Sequence, residues 1–143
     1  MMSISAVYTA EATATGGRDG RSKVSDGSLD IKLAVPIEMG GKGDGNNPEQ
    51  LFAAGYAACY IGAMKFATTQ DKTLAKVPAD TTVTAKVGIG SRSEGGFGLK
   101  VDLVVTMPGL DKVEAQMIAD AGHKICPYSN AVRGNVDVTT TVA

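Results

Sequence analysis

The amino-acid sequence predicts an α+β fold from three observations. Its alternating apolar segments are grouped instead of being interleaved regularly with helices, two separate segments carry helix signals, and a glycine-rich loop joins two alternating runs as a hairpin. At 143 residues, with 43% hydrophobic and 20% charged side chains, the chain fits one domain spanning residues 1–143.

Taken in order, Ser5 to Thr13 is a weak strand candidate that ends at the turn "TGGRDGR". Leu29, Ile31, Leu33 and Val35 alternate with Asp30, Lys32 and Ala34, the pattern of a strand with one buried face. Asn47-Pro48 then places an N-cap residue before a proline at the first helical position. Glu49 lies in the first turn, where the helix dipole favours a carboxylate. This helix is predicted to run to about Thr69. Its middle, Ala53 to Ala63, is small or apolar on every side, so the helix is expected to be enclosed by protein. Val83, Ala85, Val87 and Ile89 form a strand, the loop "SRSEGGFG" turns the chain, and Leu99 to Val105 returns antiparallel. A second helix is predicted from about Leu110 to Lys124 with Leu110, Val113, Met117 and Ala121 as its apolar stripe. Pro127 stops it, "PYSNAVRG" adds a short helical turn, and Val136, Val138, Thr140 and Val142 make a terminal strand.

Composition excludes some classes of function. A net charge of -1 with acids and bases interspersed leaves no polybasic face, which disfavours nucleic acid and anionic membranes as partners. The N-terminal stretch lacks a basic segment followed by an apolar run, so a cytoplasmic location is expected. The longest apolar stretch, Leu51 to Met64, is too short to span a bilayer.

The chemistry rests on two cysteines, Cys59 in "AAGYAACYIG" and Cys126 in "HKICPYSN". In a reducing compartment such residues are reactive, metal-binding or plain core, and composition does not choose among the three. A thiolate needs a helix N-terminus or a nearby cation. Cys126, before Pro127, fits an N-cap. Cys59 lies mid-helix and needs a cation from elsewhere, for which Arg18 and Arg21 on the glycine-rich turn are better placed than Arg92 on a hairpin tip. His123 stands three residues before Cys126, but a structural zinc site needs four Cys or His ligands and the chain has one further soft donor, so His123 reads as a helix C-terminal residue facing the dipole. "GGKGDGNNPE" lacks the lysine-serine ending of a phosphate loop and sets Glu49 where an anion would sit, which disfavours a nucleotide. From the residues alone, core cysteines and a redox pair both remain open.

The stretches "YTAEATATGGRDGR", "NPEQLFAAGYAACYIGA" and "ICPYSNAVRGNVDV", in that order, resemble the organic hydroperoxide resistance (Ohr) branch of the Ohr/OsmC family over essentially the whole chain. The resemblance implies an OsmC-like fold, with two main helices packed on curved antiparallel sheets in an intertwined homodimer. It implies a thiol peroxidase that reduces organic hydroperoxides, including those of fatty acids, to alcohols without metal, haem or flavin. Cys59 would be the peroxidatic cysteine, Cys126 the resolving one, and Arg18 and Glu49 the supporting charged pair. The reductant would be dihydrolipoamide or a lipoylated protein. Glu49 and Cys59 are ten positions apart (59 - 49), about 15 Å along a straight helix at 1.5 Å per residue, so a Glu49 acting at Cys59 is expected from the partner subunit. Phe52, Tyr56, Tyr60 and Ile61 around Cys59 would favour an alkyl chain over a small hydrated peroxide. The competing readings are an OsmC-type peroxidase and a nonenzymatic redox-sensing or binding protein.

Overall fold

The computed structural model describes residues 3–143, which divide into two compact units at Pro48. The first unit holds a three-stranded antiparallel sheet, β1 (Ala12–Thr15), β2 (Arg21–Val24) and β3 (Asp30–Lys32), in the order β1-β2-β3. The expected strand from Ser5 to Thr13 is corrected to Ala12–Thr15, and the expected turn "TGGRDGR" contains the start of β2. A tight 3-10 turn, Gly17–Asp19, joins the two strands and carries Arg18. It is possible because Gly16 takes φ 71°, and because Gly20 packs so closely on the Thr15 carbonyl that a Cβ there would lie 1.6 Å from the oxygen. The third strand is shorter than the Leu29 to Val35 alternation predicts. Ile31 is half-buried and Leu33, just past the strand, is buried, but Leu29 is exposed and Ala34, expected on the outer side, is buried, so the alternation holds only in part.

The second unit contains the apolar core. Helix α1 (Pro48–Gln70) starts at the proline that the sequence marks and runs unbroken for 23 residues. Strands β4 (Thr82–Ser91) and β5 (Phe97–Thr106) form the predicted hairpin, with Ser91 opposite Phe97 and Thr82 opposite Thr106. Helices α2 (Lys112–Ile125) and α3 (Pro127–Val132) follow, and β6 (Asp137–Val142) completes the sheet in the order β4-β5-β6. The strand β6 pairs parallel to β5, a finding beyond the antiparallel pairing expected of the sheets; the α2–α3 crossover makes it possible. Tyr56, Tyr60 and Met64 of α1, Val101, Leu103 and Val105 of β5, and Ile118 of α2 are essentially inaccessible and form one core with Cys126.

Two helix faces differ from expectation. On α2 the buried positions are Ala115, Ile118, Ala119 and Gly122, whereas Val113 and Met117 of the predicted stripe are 72% and 48% exposed. Small residues are buried because α2 lies close to α1: a Cβ at Gly122 would sit 2.6 Å from Met64 Cγ. Helix α1 is not enclosed all round in the single chain, since Ala54, Ala58, Gly62 and Phe66 line an exposed face. No helix among the described residues is long and apolar enough to cross a membrane.

Candidate active site

Cys59 lies three residues after the buried Tyr56, at the edge of the buried face of α1, and is half-buried. Cys126 sits at the junction of α2 and α3. Its N–H donates to the Gly122 carbonyl at 2.8 Å, closing α2, and its carbonyl accepts from the Asn130 N–H at 2.9 Å, opening α3. Pro127 enforces this break, because a residue before proline is held in extended conformation, and Cys126 has φ -59° and ψ 121°. The sequence therefore determines both the end of one helix and the start of the next around one buried thiol.

The two sulfurs face each other. Cys126 Sγ donates to Cys59 Sγ at 3.6 Å, and both thiols are free. A disulfide has an S–S separation of about 2.05 Å, so closure requires an approach of about 1.5 Å. Cys126 occupies the N-cap of α3 as the sequence predicts, but its side chain makes no capping bond; it is turned to Cys59 instead.

Electrostatically the pair resists ionisation at Cys59. Burial pushes the Cys59 thiol above its ordinary value of 9.0. The hydrogen bond from the Tyr128 backbone N–H acts in the opposite direction, and the neighbouring Cys126 raises it again. Desolvation is the largest of these influences, so the balance favours the neutral Cys59 thiol, and a nearby cation would shift it toward the thiolate.

Of the arginines considered, Arg21 is paired with Asp30 at 2.6 Å on the exposed side of β2 and β3, and Arg92 meets Glu94 at 3.4 Å beside the hairpin loop. Arg18 is half-buried on the 3-10 turn of the first unit, while Cys59, Cys126 and Glu49 belong to the second. Glu49 is half-buried in the first turn of α1, and because α1 is continuous, it remains about 15 Å along the axis from Cys59 at 1.5 Å per residue.

Aromatic rings surround the thiols. Phe52 meets Tyr56 and Tyr128 edge-on at 6.1 and 5.7 Å, and Tyr128 packs on Tyr56 at 5.6 Å. The Tyr128 hydroxyl lies over Gly55, where a Cβ would come within 2.5 Å of it. Of the four apolar residues expected around the substrate, Tyr56 and Tyr60 are wholly core, with hydroxyls bonded to Ser129 and to the Ala119 carbonyl, whereas Phe52 and Ile61 are partly accessible.

Sequence reasoning passed over Tyr128, Ser129 and the ring contacts of His123. His123 lies in the last turn of α2 as expected, and its ring is also hydrogen-bonded: Nδ1 is 2.9 Å from Ser129 Oγ and Nε2 is 2.6 Å from Thr140 Oγ1, with the ring tilted at 49° to that of Tyr60 and 4.6 Å from it. Burial, reinforced by Arg133 and opposed by Asp120, lowers its pKa below 6.5 and favours the neutral ring. The available signal was the spacing in "HKICPYSN", which sets a histidine and a serine three residues either side of the cysteine.

A partly exposed thiol facing a buried one across two packed helices defines a dithiol protein of α+β fold, and residues 40–141 match the family described as OsmC-like protein. The chain belongs to the OsmC-like family, in its organic hydroperoxide resistance branch. It is 58% identical over 138 residues, covering 96% of this chain and 95% of the relative, to an organic hydroperoxide resistance protein of Xanthomonas axonopodis pv. citri. Among solved structures it is similar to an organic hydroperoxide resistance protein from Elizabethkingia anophelis, with TM-score 0.89, 46% identity and coverage of 98% and 99% of the two chains. It is likewise similar to OhrB of Bacillus subtilis, with TM-score 0.85, 41% identity and coverage of 96% and 100%.

Proposed function

We propose that this protein is a cysteine-based peroxidase that reduces organic hydroperoxides, including those of fatty acids, to alcohols in the cytoplasm. The observation that carries the reading is the 3.6 Å approach of a half-buried Cys59 to a fully buried Cys126. The names of the similar proteins support the substrate class.

The residues would act as follows. The Cys59 thiolate attacks the distal peroxide oxygen, the O–O bond breaks, and the alkoxide takes a proton to leave as the alcohol. Cys59 is then a sulfenic acid. Cys126 attacks its sulfur, expelling hydroxide, which leaves as water with the proton of the Cys126 thiol. An external dithiol, dihydrolipoamide or a lipoylated protein, reduces the resulting disulfide by exchange. Arg18 supplies the cation that Cys59 lacks, and Glu49 holds the guanidinium. The accessible sides of Phe52 and Ile61 favour an alkyl substrate.

Because Glu49 cannot reach Cys59 along its own helix, the Glu49 that holds the arginine at Cys59 comes from the second subunit of a homodimer. The exposed small-residue face of α1 supports such a pairing.

The test is steady-state consumption of cumene hydroperoxide with dihydrolipoamide. Cys59→Ser is expected to be inert, and Cys126→Ser to consume about one peroxide per site and stop. Folded wild-type protein as inert as both variants would refute the peroxidase reading. A wild type that oxidises once without turnover would make it a redox sensor.

A further inference from the structure

Beside the two thiols runs a buried chain of polar side chains that the peroxidase chemistry does not use. Tyr56 of α1, Ser129 of α3, His123 of α2 and Thr140 of β6 are joined in sequence by contacts of 2.7, 2.9 and 2.6 Å. Each comes from a different element. Ser129 is only 4% exposed, so its hydroxyl depends on these partners. A neutral imidazole offers one N–H and one lone pair, and hydroxyls on both sides can donate or accept, so either tautomer leaves the chain of bonds complete.

His123 is tied to α3 a second time through its backbone. The guanidinium of Arg133, the residue that follows α3, donates to the His123 carbonyl and to Asn130 Oδ1, each at 2.5 Å. The short helix is therefore held at Ser129 near its middle and at Arg133 just beyond its end, both times to the same residue of α2. What α3 carries at its start is Cys126 at the cap and Tyr128, whose N–H meets Cys59 Sγ. A helix of six residues makes few internal bonds, so these external ties must fix its position.

We propose that His123 is a positioning residue for disulfide formation: acting through Ser129, it holds α3 so that Cys126 stays within closing distance of Cys59. The proposal rests on the dithiol reading above. Its consequence is selective. Attack on the peroxide uses Cys59 of α1 and draws on α3 only for the Tyr128 N–H, a neutral donor that partly counters desolvation, whereas the following step needs one sulfur to meet another, and its rate follows the fraction of time the two are in reach.

A single-turnover experiment on the reduced full-length protein separates the steps. Cumene hydroperoxide is added, alcohol release reports the first step, and loss of the Cys126 thiol, read by mass after rapid alkylation, reports closure. Ser129→Ala and His123→Ala are expected to close about tenfold more slowly than wild type while releasing alcohol within about twofold of its rate. His123→Asn, whose amide can still reach Ser129, should recover most of the closure rate. Thr140→Val removes one hydroxyl from a half-buried strand position and gives a second route to the answer should Ser129→Ala not fold; it is expected to slow closure about threefold. Closure unchanged in the folded variants, or both steps slowed equally, would overturn the positioning role. A wild type that never closes the Cys59–Cys126 bond would instead bring down the dithiol reading beneath it.

Discussion

At the residue scale, the environment of Cys59 poses the main electrostatic problem. Desolvation holds its thiol up, and the Tyr128 N–H only partly counters this. A neutral donor contributes a partial charge, whereas a guanidinium contributes a full one that never titrates away. The expected outcome is that Arg18→Ala moves the pH profile of Cys59 alkylation, measured with iodoacetamide on Cys126→Ser protein, to higher pH. The sign follows from the thiolate being the reacting species: removing a cation lowers its population at any given pH. An unmoved profile would remove Arg18 from the site. Burial distinguishes the two thiols: half-buried Cys59 offers an incoming reagent a path that fully buried Cys126 does not, which is the basis of the order of action proposed for them.

At the element scale, the close approach of α1 and α2 positions the dithiol. Gly122 allows it, since any side chain there meets Met64 Cγ, which is itself buried and cannot swing away. Gly122→Ala is expected to destabilise the fold by about 1–3 kcal/mol, read from urea denaturation, with a Cys59–Cys126 pair that closes more slowly. Wild-type stability would show that the helices can separate without cost. Gly122 was also where sequence reading of α2 failed. Hydropathy selects Val113 and Met117 because they are large, but a face that receives the bulky Tyr60 and Met64 side chains of α1 selects small residues, and no periodicity of large side chains reports it. Strands β4 and β5 were legible because their alternation matches their burial residue by residue, and α1 because Asn47-Pro48 marks its start. Strands β1 and β2 were not: "ATAT" is exposed throughout and "RSKV" offers no large apolar face. The thiol pair was named from motif likeness, and its supporting hydroxyls were invisible because Ser129 looks like a surface residue until the fold buries it, and Thr140, though in the alternating run of β6, gives no sign in the sequence of which ring it meets.

At the scale of the whole molecule, the decisive matter is which chain completes which site. A purified heterodimer of one Glu49→Ala chain and one Cys59→Ser chain is expected to show about half the wild-type activity, because one of its two sites would receive Cys59 from the first chain and Glu49 from the second. If each site were built from a single chain, the heterodimer would be as impaired as its parents. The parallel pairing of β6 with β5 has a further effect, on timing. That strand reaches its place only after the chain from Thr106 to Asp137 has crossed over, a non-local step of the kind that folds late. Thr140 on β6 anchors His123, and so the last strand to dock is also the one that secures α3. During refolding the docking of β6 would add the last of the ties on α3, so that full competence for oxidation matures with the final strand.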